Sequence, residues 1–118
     1  MKVSSILTSA SKNKNMSKKL IQFSTKQCGR CQVMKNFILE NHENKEIEYE
    51  YISLFDSEDE VSKTTINEYW DQVYSNFEKY TKLYNTPIFR TLPSFILIED
   101  GKANPIYNDR DKILKLIK

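Results

Sequence analysis

The fold of this chain is decided by residues 20–31, which read Leu20-Ile21-Gln22-Phe23-Ser24-Thr25-Lys26-Gln27-Cys28-Gly29-Arg30-Cys31. The apolar run at the start of this stretch predicts a buried strand over residues 20–25. Apolar residues then recur at helical spacing, which predicts a helix from Cys31 to about Asn41. The two cysteines, the only two in the chain, therefore lie where a strand passes into a helix.

Two cysteines three positions apart at the first turn of a helix are typical of a dithiol–disulfide redox site. The helix N-terminus offers unpaired backbone N–H groups and the positive end of the macrodipole, which favour a thiolate over a thiol. We predict that Cys28 is the nucleophile. Cys31, one turn later, would attack the mixed disulfide and release the partner.

The residues between the cysteines, Gly29 and Arg30, belong to the same predicted site. The N–H groups of the helix start, from Gly29 onward, would stabilise the Cys28 thiolate. Arg30 has two interpretations: a solvated helix residue, or a cation that stabilises the thiolate together with nearby Lys26. The second interpretation predicts a more oxidising disulfide.

A different interpretation of the cysteine pair is half of a zinc site. Zinc normally takes four ligands, and His42 is the one further soft or borderline ligand that the chain offers. A site shared between two copies of the chain would be needed. We therefore predict no metal and no organic cofactor, and a structural role for His42 at the end of the first helix.

Composition limits the other function classes. The chain has 118 residues, of which 39% are hydrophobic and 29% charged, with a net charge of +2, which suits one domain and gives no basis for nucleic-acid binding. No apolar run is long enough to span a membrane. No signal-peptide core is seen near the N-terminus, so we expect a cytoplasmic monomer, with export by a removed leader or a dedicated exporter left open.

The rest of the chain predicts further strands and helices. Strands are expected at 3–8, 47–55, 94–98 and 105–107, a linker at 9–19, and helices at 61–84 and after an N-cap at Asn108-Asp109. Residues 99–102 would form a hairpin turn, and Pro105 restricts the last strand to an edge or a strand start. The acidic residues 56–60 are interpreted as a capped helix start and not as a calcium loop.

The long helix over 61–84 carries one apolar stripe, formed by Ile66, Trp70, Val73, Phe77, Tyr80 and Tyr84. Such a stripe usually faces the core. However, Trp70, Tyr69 and Tyr74 span more than one face of the helix, so a surface that docks a partner through Trp70 and Tyr74 stays an alternative.

The order of these pieces resembles the thioredoxin family. The likeness rests on the strand that leads into Cys28 and Cys31, on Thr91-Leu92-Pro93 before an apolar strand, and on Asp100-Gly101-Lys102 after it. It covers roughly residues 20–55 and 88–118. It implies a single thioredoxin-like α/β domain over 1–118, with a mixed central sheet flanked by helices, a shortened N-terminal strand and linker at 1–19, and a helical insertion at 56–90.

The resemblance also implies roles for residues that come before the third strand. Pro93 would follow a cis peptide bond and face the cysteine pair. The backbone of Leu92 would pair with an extended substrate, with Thr91 beside it. Leu92 and Pro93 would also keep metal ions away from the thiols.

Several positions depart from the family pattern. Gln22 stands where the family has a buried acid that helps to move a proton from the second cysteine, Gln27 replaces an aromatic residue, and Arg30 replaces a proline. The segment between 56 and 93 is roughly twenty residues longer than in a minimal thioredoxin. This insertion, with a composition typical of low-GC coding sequences, is loosely similar to the bacterial bacteriocin transport accessory proteins.

The resulting prediction is a thiol–disulfide oxidoreductase that acts on disulfides or dithiols of protein substrates and exchanges electrons with an unidentified reductase or oxidant. The alternative is a non-catalytic binding module that docks a partner through its aromatic helix and uses the cysteines as a redox switch. The direction of electron flow and the substrate stay open.

Overall fold

The computed structural model describes residues 18–55 and 65–118. The elements in chain order are β1 (Lys18–Ser24), α1 (Gly29–Asn41), β2 (Ile47–Ser53), α2 (Ile66–Tyr84), β3 (Ser94–Glu99), β4 (Lys102–Ile106) and α3 (Arg110–Ile117). The predicted strand at 3–8 and the acidic helix start at 56–60 lie outside the described residues. The predicted linker at 9–19 is wrong at its end, because Lys18 and Lys19 already belong to β1.

The four strands form one mixed sheet in the order β2-β1-β3-β4. β1 pairs with β2 in parallel, from Lys18 opposite Ile47 to Ser24 opposite Ser53. β3 pairs antiparallel with both β1 and β4. The expected mixed α/β architecture, with helices on the sheet, is therefore confirmed.

Helices cover both faces of the sheet, which explains why β1 is apolar without a break. Leu20 points to the side of α1 and α3, where it packs in a cluster with Ile38 and Ile113. Its neighbour Ile21 points to the opposite side, into the cluster that contains Phe77 of α2. Successive strand residues point to opposite faces, so a strand buried on both faces needs apolar residues at consecutive positions.

The hairpin between β3 and β4 was predicted correctly. Asp100 and Gly101 both have positive φ, 54° and 78°, as the two central residues of the turn that suits a two-residue hairpin require. Pro105 lies in β4, which forms the edge of the described sheet. An edge position is where a residue without an N–H group is tolerated.

Both helices that follow β2 are capped by their own side chains. At the start of α2, the Thr65 hydroxyl accepts from the N–H of Glu68 and the Glu68 carboxylate accepts from the N–H of Thr65, which is a complete capping box. At the start of α3, the Asp109 carboxylate accepts from the N–H groups of Asp111 and Lys112. The predicted cap at Asp109 is confirmed.

The apolar stripe of α2 divides between core and surface. Val73 and Phe77 are buried, and the rings of Tyr80 and Tyr84 lie 5.3 and 6.4 Å from that of Phe23. Toward the start of the helix, however, the core position is taken by Tyr69, whose ring lies 4.9 Å from Phe55.

The expectation that the whole stripe faces the core is therefore wrong for two residues. Ile66 is 72% exposed and Trp70 is 37% exposed. The stripe itself stays on one side of the helix, because its steps of four, three, four, three and four residues amount to five turns of 3.6 residues. The reason is that the middle of α2 reaches the core through Val73 and Phe77, whereas at its first turns the contact with the core is made by Tyr69, which lies beside the stripe. None of the helices in the described parts of the chain is long and apolar enough to cross a membrane.

Candidate active site

The cysteine pair occupies the start of α1. Cys28 is the N-cap residue, with extended backbone, and its sulfur accepts a hydrogen bond from the N–H of Cys31 at 3.2 Å. The two sulfurs are bonded to each other. Cys28 is half-buried whereas Cys31 is fully buried. Of the two, Cys28 is the residue that a partner can reach.

A buried amide lies beneath the pair. The Gln22 side-chain nitrogen donates to the backbone carbonyl of Cys31 at 3.0 Å and to the Ser24 hydroxyl at 2.9 Å. The Gln22 side-chain oxygen accepts from the Tyr49 hydroxyl at 2.6 Å. The amide is fully buried and bonded on both its ends, so it ties the first turn of α1 to β1 and β2.

Part of the segment before β3 lies beside Cys28. The Leu92–Pro93 peptide bond is cis, and Pro93 is buried. Leu92 is half-buried and lines the same groove as Cys28. Thr91 is exposed, and neither Thr91 nor Pro93 is among the described residues that line this groove.

The groove has a volume of about 700 Å³ and contains the reachable face of the redox pair. Its walls are formed by the start of α1, the start of α2 and the loop before β3. The lining residues are Gln27, Cys28, Gly29, Arg30, Ile66, Tyr69, Trp70 and Leu92. Among these described residues, Arg30 alone carries a formal charge. The groove is thus mainly apolar, with one cation beside the cysteine.

The two aromatic residues predicted as a partner surface have different positions. Trp70 lines the groove of Cys28, whereas Tyr74 is not among its described lining residues. The Tyr74 ring lies 5.7 Å from that of Trp70 and extends the aromatic surface along α2. Tyr69 lies against Trp70 edge to face at 5.2 Å.

Tyr69 was missed from the sequence as a site residue. Its hydroxyl shares a hydrogen bond of 2.5 Å with the hydroxyl of Thr25, a buried residue between β1 and the cysteines. This bond fixes the start of α2 next to the start of α1. The neighbouring Trp70 was the available signal, because it marks this turn of α2 as aromatic on more than one face.

Gly29 and Arg30 are both exposed. A side-chain carbon added at Gly29 would have no atom within 4 Å, so no contact in the described structure requires a glycine there. Arg30 also lines a second cavity of about 510 Å³, which Arg110 at the start of α3 shares. Positive charge therefore lies on the side of the cysteines that faces α3.

His42 lies at the opposite end of α1 from the cysteines, as its C-cap residue. Its Nε2 donates to the carbonyl of Ile47 at 2.7 Å. Thirteen helical residues separate it from Cys28, or roughly 20 Å. Among the described residues, no group of three or more histidine, cysteine or acidic side chains could hold a metal ion.

The chain runs through a parallel β1-α1-β2 unit, then α2, then the antiparallel β3-β4 hairpin, and ends in α3. The cysteine pair lies at the start of α1, and a cis-proline directly precedes β3. The chain has a thioredoxin-like fold. This is the fold that the resemblance implied. A thioredoxin-like fold with a disulfide-forming pair in this position supports a redox-type function in general terms.

Comparison with known proteins gives a likeness to a solved structure. No family model matches the chain, and no curated protein matches it. Among solved structures, tryparedoxin II from C. fasciculata matches with 18% sequence identity and a TM-score of 0.49, over 86% of this chain and 70% of that chain. The narrower likeness to bacteriocin transport accessory proteins finds no support in these comparisons.

Proposed function

We propose that the protein is a thiol–disulfide oxidoreductase that exchanges disulfides with protein substrates through Cys28 and Cys31. The observation that carries the proposal is the asymmetry of the pair. Cys28 caps a helix and lines an open groove, whereas Cys31 is buried behind it. This arrangement suits a nucleophile that partners reach and a second thiol that only the first sulfur can reach.

In the reducing direction, the Cys28 thiolate attacks one sulfur of a substrate disulfide. A Cys28–substrate bond forms, the substrate bond breaks, and the leaving thiolate takes up a proton. The thiolate of Cys31 then attacks the Cys28 sulfur, which forms the Cys28–Cys31 disulfide and releases the second substrate thiol. Two electrons and two protons pass from the protein to its substrate, and the oxidising direction is the reverse.

Other residues of the site assist this exchange. The N–H of Cys31, which donates to the Cys28 sulfur, and the charge of Arg30 stabilise the Cys28 thiolate in the reduced protein. The backbone of Leu92 holds an extended substrate next to Cys28, with Pro93 and Thr91 on the same loop. Electrons come from a reductase or another dithiol, without an organic cofactor.

The proposal is tested with two single variants and a peptide disulfide. Reduced Cys31→Ser protein should accumulate one equivalent of mixed disulfide at Cys28, seen by mass spectrometry and released by a reductant. Cys28→Ser protein should trap none, because the remaining thiol is buried. Reduced wild-type protein should become the intramolecular disulfide. Absence of trapping by Cys31→Ser, with wild type also unreactive, would refute the proposal.

The alternative, a binding module with a redox switch, keeps one supporting observation. Trp70 is 37% exposed and Tyr74 43% exposed on one helix, an aromatic surface of the kind that protein partners use. Such a module would retain its partner in both cysteine variants and lose it in Trp70→Ala. An oxidoreductase would instead lose disulfide exchange in Cys28→Ser.

A further inference from the structure

The start of α2 presents two large apolar side chains, Ile66 and Trp70, to the groove of Cys28. Ile66 is 72% exposed, yet it lines the groove together with Trp70. Exposed apolar residues that are contiguous and border a cavity mark a surface that binds something. The groove has about 700 Å³, which is within the range of ligand-binding clefts.

Ile66 and Trp70 form an apolar wall of the groove, and contacts at the start of α2 hold this wall in place. The capping box of Thr65 and Glu68 fixes the first turn of α2. The hydroxyl of Tyr69 bonds to that of Thr25, and the Tyr69 ring packs on Phe55. A fixed wall next to the reacting sulfur can select among substrates, because its shape does not have to be organised when the substrate binds.

The charge of the groove limits its occupant further. Arg30 is exposed and lines the groove beside Cys28, and the other lining residues of the described structure carry no formal charge. An acidic group on the substrate is therefore complementary to this groove, whereas a basic one is repelled. A small hydrophilic thiol would meet Arg30 but would leave the wall of Ile66 and Trp70 in water.

We infer that the start of α2 is the specificity wall of the redox site, and that its substrate is an extended polypeptide segment with a large apolar residue beside the reacting cysteine and an acidic residue close to it. Trp70 and Ile66 contact the apolar side chain, and Arg30 contacts the carboxylate. This inference rests on the proposed function, because it assumes that Cys28 reacts with the disulfide of the bound segment.

The test compares symmetric peptide disulfides, in which both sulfurs carry the same peptide. In the first peptide, leucine flanks the cysteine on both sides and glutamate follows at each end. Serine replaces leucine in the second peptide, and glutamine replaces glutamate in the third. The second-order rate constant for oxidation of the reduced protein is measured for each peptide and for glutathione disulfide. For each protein, the rate constants for two peptides are compared as a ratio. A variant that changes the reactivity of Cys28 itself changes both rate constants alike, so the ratio is unaffected.

Wild-type protein should favour the leucine peptide over the serine peptide by about tenfold or more, since burial of an apolar side chain typically discriminates to this extent. Trp70→Ala should reduce this ratio to near one, and Ile66→Ser should lower it too. Leu83→Ala is the matched control, because Leu83 is 64% exposed on the same helix and is not among the described lining residues of the groove. It should keep the wild-type ratio.

The contribution of Arg30 is measured with the same peptides, by comparing the glutamate peptide with the glutamine peptide. The glutamate peptide should react about two- to fivefold faster than the glutamine peptide at low salt, a modest preference because the charge pair is exposed. Arg30→Gln should remove this preference and keep that for leucine.

Two outcomes overturn the inference while the proposed function stands: equal rates for the leucine and serine peptides, or a Trp70→Ala protein that keeps the leucine preference. Glutathione disulfide that reacts faster than every peptide would overturn the polypeptide as the substrate class. If none of the disulfides oxidises the wild-type protein, the proposed function fails as well.

Discussion

The side-chain nitrogen of Gln22 donates a hydrogen bond of 3.0 Å to the backbone carbonyl of Cys31. An amide that cannot titrate thus lies directly beneath the buried cysteine, at the position where the resemblance places an acid. Its oxygen accepts from Tyr49, so the amide links the redox turn to the neighbouring strand.

Replacement of this amide should destabilise the protein. Gln22→Leu leaves the hydroxyls of Ser24 and Tyr49 without this partner and removes one bond to the Cys31 carbonyl. The expected cost is about 1–3 kcal/mol in the free energy of unfolding. Urea denaturation of the oxidised protein measures it. A change below about 0.5 kcal/mol, the range typical of surface substitutions, would contradict the role of the amide.

Gln22→Glu is a second variant, which keeps the size of the side chain but introduces a group that titrates. Burial raises the pKa of the new carboxyl above that of the unfolded chain, because its charged form loses hydration. Stability is then greatest below the unfolded pKa of about 4.3 and falls as the pH rises through the higher folded value. The variant should therefore gain stability on acidification relative to wild type.

Ionisation of the Tyr49 hydroxyl should reduce the stability of the fold at alkaline pH. Burial, and then the nearby charge of Tyr51, raise the pKa of Tyr49 above its ordinary value. The folded pKa is raised, so this contribution is complete below the unfolded pKa of about 10 and is lost as the pH increases further. Tyr49→Phe should show a shallower loss of stability between pH 10 and 12 than wild type. Identical slopes in denaturation at several pH values would argue against this assignment.

The stability that the cap of α2 contributes should depend on pH in the acidic range. Thr65→Ala should cost about 1 kcal/mol of stability, whereas Thr65→Gly should cost only a few tenths. Hydrogen bonds from the Thr65 N–H and then its hydroxyl lower the pKa of Glu68. The folded pKa is lowered, so the part of the capping box that the Glu68 carboxylate makes is present above the unfolded value of about 4.3 and is lost as the pH falls through the folded one. Thermal unfolding at pH 3 to 7 should therefore show a difference between wild type and Thr65→Ala that narrows in acid but persists, because the bond from the Glu68 N–H to the Thr65 hydroxyl does not titrate.

The bond between Tyr69 and Thr25 should be measurable on its own. Tyr69→Phe removes it and leaves the buried Thr25 hydroxyl without this partner, which predicts a loss of about 1 kcal/mol. Tyr74→Phe is the matched control, since Tyr74 is 43% exposed on the same helix, and its effect should stay within about 0.5 kcal/mol. Equal effects of the two changes in urea denaturation would show that the bond contributes nothing specific.

Arg30 predicts the sign of a change in redox potential. If its charge stabilises the Cys28 thiolate, the reduction potential of the pair lies above the roughly −270 mV of thioredoxin, and Arg30→Gln lowers it. Equilibration with a glutathione series measures both proteins. A wild-type value at or below roughly −270 mV, or a variant with an unchanged potential, would instead favour Arg30 as a solvated residue.

Much of this protein could be predicted from the sequence because the signals are local. The apolar run before Cys28 predicted β1, the spacing of the two cysteines predicted a redox pair at a helix start, and Asp100-Gly101 predicted the hairpin. Each of these features depends on residues within a few positions of one another, whose periodicity and backbone preferences are written in the chain itself.

Only the tertiary structure decided which side chains meet at the site. Gln22 and Tyr49 are 27 positions apart and meet because β1 and β2 pair in parallel, while Tyr69 and Thr25 are 44 positions apart. The same packing placed Ile66 at the groove and not in the core. The rotation of a helix against a sheet is fixed by the sum of many non-local contacts, so the sequence pattern determined that α2 is amphipathic, and the packing decided which of its aromatic and aliphatic residues face the cysteine.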